Sequence, residues 1–111
     1  MSDEIPSIMI GDVDELADPL LLDVREADEY HAGHAPKTTW VPLASVPDAL
    51  AELPTDRTIL CICRAGGRSA NATAFLKERG FDAVNLEGGM KAWAAFGLDV
   101  VRDDGSHGQV I

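Results

Sequence analysis

The chain has 111 residues and a formal net charge of −10 at pH 7, with an isoelectric point near 4.4. That length suits one domain able to bury its own core. The acidity argues against nucleic acid, which needs clustered cations, and against anionic membranes; no apolar run approaches the roughly 18 residues of a membrane helix.

The first ten residues are acidic, broken by Pro6, and lack the basic start of a secretory leader. Ile8-Met9-Ile10 is a short strand candidate, and residues 11–17 read as a helical turn with Asp12 as its N-cap. Leu20–Asp23 is apolar until its aspartate, as a parallel strand buried on both faces should be. Residues 26–32 read as a short helix and 39–41 as a short strand. Residues 47–53 look like a helix with proline in its first turn. Residues 58–62 are the clearest strand. Residues 69–79 form the clearest helix, with Ala72, Phe75, Leu76 and Arg79 at helical spacing and Gly80 to stop it. Ala83–Leu86 is a fifth strand. Gly88-Gly89 then turns into a helix over residues 90–96, closed by Gly97. Strands alternating with helices imply an α/β domain with a parallel sheet and right-handed crossovers. Residues 1–102 are expected to form that domain, and residues 103–111, polar and glycine-containing, a mobile tail.

The chemistry concentrates in Cys63-Arg64-Ala65-Gly66-Gly67-Arg68-Ser69, between the fourth strand and the long helix. A lone cysteine is commonly an inert buried hydrophobe. Here strand, cysteine, glycine-rich turn, arginines and helix occur in order. Amides of Ala65, Gly66, Gly67 and Arg68 have no helical partners if the helix starts near Ser69, and can turn inward as a nest for negative charge. Gly66 and Gly67 permit the positive φ angles such a nest uses. Ser69 is a plausible N-cap. A helix N-terminus and nearby arginines pull a thiol toward the reactive thiolate. Cys61 lies two residues earlier on the same strand, at a spacing near or past the roughly 6.8 Å bridging limit. It reads as a core residue, with a resolving role as the minor alternative. Two cysteines are no disulfide scaffold, so both thiols are expected reduced and the protein cytoplasmic.

These residues resemble the rhodanese-like domains, whose active loop follows Cys-Arg-x-Gly-x-Arg-Ser. Leu21-Leu22-Asp23-Val24-Arg25-Glu26, with Glu29-Tyr30 and Gly33-His34, is similar to the family's N-terminal signature. Pro42-Leu43 falls where its third strand usually ends, and Gly88-Gly89-Met90-Lys91-Ala92-Trp93 looks like its C-terminal motif. The resemblance spans about residues 8–100. It implies a three-layer fold with a central, mostly parallel five-stranded sheet flanked by helices. It also implies sulfur transfer from thiosulfate or a persulfide donor, through a Cys63 persulfide, to a thiol or cyanide. Arg64 and Arg68 would then donate to the donor's oxygens, with the loop from Ala65 to Ser69 as cradle. No cofactor is called for. The partners expected are a small anionic sulfur donor, a thiol acceptor and, for a relay, a protein donor or acceptor.

Alternatives remain open at this level. A protein-to-protein sulfur relay or binding module would share the same cysteine. Cysteine-based phosphatases and arsenate reductases use a longer loop, Cys-x5-Arg, whereas Arg68 follows Cys63 after four residues. Asp23 and Arg25 sit at a strand's carboxyl end, where such folds bind ligands. Asp23 could orient loop amides or pair with an arginine, and Arg25 could pair with Glu26 or another acid. Lys37 stands where many members have glycine, so either the turn differs or Lys37 holds an uncommon conformation. Trp40 could wall the pocket or fill the core. His31, His34 and the cysteines do not assemble a zinc ligand set; His34 reads as a hydrogen-bonded structural residue.

Overall fold

A computed structural model describes residues 5–111; residues 1–4, part of the leader argument, lie outside them. Among the described residues five strands form one sheet: β1 (Ser7–Ile8), β2 (Leu20–Asp23), β3 (Thr39–Trp40), β4 (Ile59–Ile62) and β5 (Ala83–Leu86). Their order is β1-β5-β4-β2-β3, and every pairing is parallel. Helices α1 (Ala27–Ala32) and α2 (Gly67–Glu78) and 3-10 segments at Ile10–Glu15 and Leu43–Glu52 connect them, and helix α3 (Gly89–Ala95) follows β5.

The central strand explains the three layers. All four residues of β4 are buried, and alternation sends them to opposite faces. Ile59 and Cys61 join Val46, Ala72 and Leu76 in one core, under α2 and the second 3-10 segment. Leu60 and Ile62 join Leu86, Met90 and Val100 in the other, under α3. Each such aliphatic side chain contributes about 1.5–3 kcal/mol by leaving water. Parallel strands all end at one edge of the sheet, so the loops after β2 and β4 are neighbours: Asp23 pairs in register with Ile62.

Several local expectations change. The first strand stops at Ile8, and Ile10 already begins a 3-10 turn. Met9, not Asp12, occupies the cap, without a side-chain bond. The 47–53 helix is a longer 3-10 segment starting at Leu43, with Pro47 inside it; proline has no N–H to give a regular α-helix. Residues 103–111, expected to be mobile, fold back on the domain. Val101 pairs antiparallel with both His34 and His107. The amides of Gly108 and Gln109 donate to Val100 and Ala32 carbonyls at 2.8 and 2.9 Å. Gly108 and Gly33 pack backbone to backbone, where a Cβ on either would clash. Asp103 accepts from His31 Nδ1 at 2.7 Å and His34 Nε2 at 3.1 Å.

Candidate active site

Cys63 follows β4 directly, and the chain then turns into α2 at Gly67. Gly66 occupies the helix cap with φ +110°, a conformation that glycine adopts freely. Gly67 is already helical, so only Gly66 of the pair supplies a positive φ. The Gly66 amide donates to Cys63 Sγ at 3.1 Å, and the Ser69 hydroxyl lies 3.3 Å from the same sulfur. Ser69 therefore faces the thiol from the first turn of α2 instead of capping the helix, because Gly66 has taken the cap.

The other side of the loop is held by α3. The amides of Met90 and Lys91 donate to the carbonyls of Cys63 and Arg64 at 2.8 and 3.0 Å. This approach leaves no room at Gly89, where a Cβ would run into the Cys63 and Arg64 backbone. With its carbonyls bonded to α3, the loop turns amides onto the sulfur. Burial by itself pushes the Cys63 thiol up. Hydrogen bonds from Ser69 and from the Gly66 and Ala65 amides outweigh it, so the pKa lies below the ordinary thiol value. At Cys61 burial outweighs a single hydrogen bond from the Thr73 hydroxyl and pushes the thiol up to about 11. Both thiols are free. Cys63 exposes 1 % of its surface.

Asn85 belongs to this arrangement and was not anticipated. It is a buried polar residue within apolar β5. Its Nδ2 donates to the Gly66 carbonyl at 3.2 Å, and its Oδ1 faces the Ser69 hydroxyl. Ser69 has one proton for two acceptors, Asn85 Oδ1 and Cys63 Sγ. A polar residue in a strand buried on both faces is itself a signal, since such groups need partners.

The structure separates the remaining candidates. Arg68 donates through both Nη atoms to the two carboxylate oxygens of Glu29 at 2.7 and 2.8 Å. That pairing holds the Glu29 carboxyl down at about 2 and raises the Arg68 pKa. Arg64 Nε donates to the Ile111 carbonyl at 2.8 Å and is otherwise exposed. Asp23 and Arg25 pair with each other, fully buried, at 2.7 Å. Arg25 also donates to the Glu29 and Gly33 carbonyls. Asp23 thus orients no loop amide of the cysteine, and Arg25 does not pair with Glu26. Trp40 donates to the Arg25 carbonyl at 2.9 Å and stacks on Tyr30, which stacks in turn on His34. Lys37 holds φ +59°: the uncommon conformation is kept and the glycine is not.

A thiol at a strand end, held by the amides that open a helix, defines an α/β protein with a thiolate-favouring loop. The comparisons narrow this. The model of the rhodanese-like domain matches residues 10–96. A sulfurtransferase of Allochromatium vinosum is 39% identical over 89 residues, covering 79% of this chain and 83% of that protein. The putative sulfurtransferase YtwF of Bacillus subtilis is 41% identical over 73 residues, covering 66% of this chain and 71% of that protein. The crystal structure of a rhodanese-related protein from Thermoplasma volcanium superposes with a TM-score of 0.81 at 33% identity, covering 86% of this chain and 97% of that one. The chain belongs to the rhodanese-like domain family, with the α/β fold expected of it.

Proposed function

We propose that the protein is a sulfurtransferase that carries sulfane sulfur on Cys63. The thiolate attacks the outer sulfur of thiosulfate; the new S–S bond forms as the old one breaks, and sulfite leaves with the electron pair. The resulting Cys63 persulfide gives its terminal sulfur to a thiol or cyanide, and the thiolate returns. The observation that carries this reading is the set of donors on Cys63 Sγ, which favours negative charge on that sulfur and would equally favour the persulfide anion. The names of the relatives support sulfur transfer in general. The short loop between Cys63 and Arg68 suits one sulfur atom better than a wrapped phosphate. A relay from a protein donor uses the same persulfide and is the second reading. Two free thiols suit a reducing, cytoplasmic setting.

Thiocyanate release from thiosulfate and cyanide, run on the wild type and Cys63→Ser together, tests this. Release by the wild type and none by the variant is expected. Release that persists in the variant moves the chemistry to Cys61. None in either makes the relay the leading reading.

A further inference from the structure

The amides around Cys63 suit an anion, yet Arg68, whose charge is felt at Cys63, already serves a carboxylate. Arg68 gives its two Nη groups to Glu29, in the bidentate geometry that makes such pairs strong. Glu29 is held firmly. Its Oε1 also accepts the Glu26 amide at 3.1 Å, and its side chain is 14% exposed. Its helix is tied down by Arg25 on the Glu29 carbonyl, by the Gln109 amide on Ala32 and by Trp40 stacked on Tyr30. Arg68 keeps N–H groups free to hydrogen-bond, but it meets a donor as half of a neutral pair. With the Cys63 thiolate present, the charges facing Arg68 from Glu29 and the sulfur already exceed its own. A partly buried pair is also weakly screened by salt.

We propose that Glu29 is a specificity-determining residue: by pairing with Arg68 it discounts the cradle's positive charge, and so favours sulfur donors with one negative charge, such as thiol persulfides, over dianions such as thiosulfate. This rests on sulfur transfer through Cys63. A matched pair of donors isolates the charge. Thiosulfate and methanethiosulfonate present the same outer sulfur, and a methyl group in the second replaces a charged oxygen in the first. The Cys63 thiolate takes that sulfur from either one, releasing sulfite or methanesulfinate with the bonding pair, so charge balances in both.

The experiment compares kcat/KM for the two donors, with cyanide as acceptor, in the wild type, Glu29→Gln and Glu29→Asp. Glutamine keeps an oxygen to accept from the Glu26 amide, and thermal unfolding checks that each variant is folded. The preference for methanethiosulfonate over thiosulfate is expected to fall about tenfold in Glu29→Gln, the scale of one charged hydrogen-bonded contact. It should stay near the wild-type value in Glu29→Asp, which keeps the charge. An unchanged or increased preference in Glu29→Gln, even with both rates lowered, overturns the proposal and leaves Glu29 as a prop for Arg68. No transfer from either donor by the wild type is a different result: it removes the small-molecule sulfurtransferase reading, and this proposal with it.

Discussion

Strands β2 and β4 lie side by side and end at the same edge of the sheet. Each delivers a chemically capable residue to that edge, yet the two ends have opposite characters. After β2, Asp23 and Arg25 close on each other, and the remaining Arg25 donors go to the Glu29 and Gly33 carbonyls. Each guanidinium nitrogen of Arg25 has an internal acceptor. After β4, the amides that open α2 have no carbonyl to serve, because a helix leaves its first N–H groups free. They converge on one sulfur instead. Of these two strand ends, the Cys63 loop is the one that aims backbone amides at a thiol.

That contrast can be broken most forcefully at β2. Asp23→Ala leaves Arg25 buried and unpaired, so it should destabilise the fold by about 3–5 kcal/mol. Urea denaturation measures this. Sulfur loading per folded molecule should be retained, and a selective loss of loading would place Asp23 in the site after all.

A smaller effect sharpens the comparison within the loop. Ser69→Ala removes the hydroxyl that lies 3.3 Å from Cys63 Sγ and should raise the thiol pKa toward its ordinary value. Alkylation followed by mass spectrometry across pH reads it directly. In the wild type, Cys63 should react with a midpoint below that of an ordinary thiol, while Cys61 stays protonated until about pH 11. Overlapping profiles would mean that the amides do not favour the thiolate.

The smallest effect concerns Glu29. Its folded pKa of about 2 lies below the ordinary 4.5. Its contribution to stability is therefore fully present above pH 4.5 and is lost as pH falls toward 2. Stability should decline less steeply across that window in Glu29→Gln than in the wild type. Identical slopes would show that the Arg68 pair adds nothing to the folded state.

The residues that local rules govern were legible from the chain alone. Apolar runs and glycine stops placed β2, β4, β5 and α2 to within two residues, because strand burial and helix termination depend on near neighbours. The thiolate-favouring loop was legible for the same reason: a cysteine, a turn glycine and a helix start lie within seven residues. The order of strands, the Glu29–Arg68 pair, the Asn85 contacts with Gly66 and Ser69, and the return of residues 100–111 onto α1 were decided only by the tertiary structure. Each joins groups far apart in sequence, and hydrogen bonds of this kind depend on angles and tenths of an ångström that composition and spacing do not encode. The sequence determined where a thiolate could form; the packing of α1, β5 and α3 around the loop decided which charges it would face.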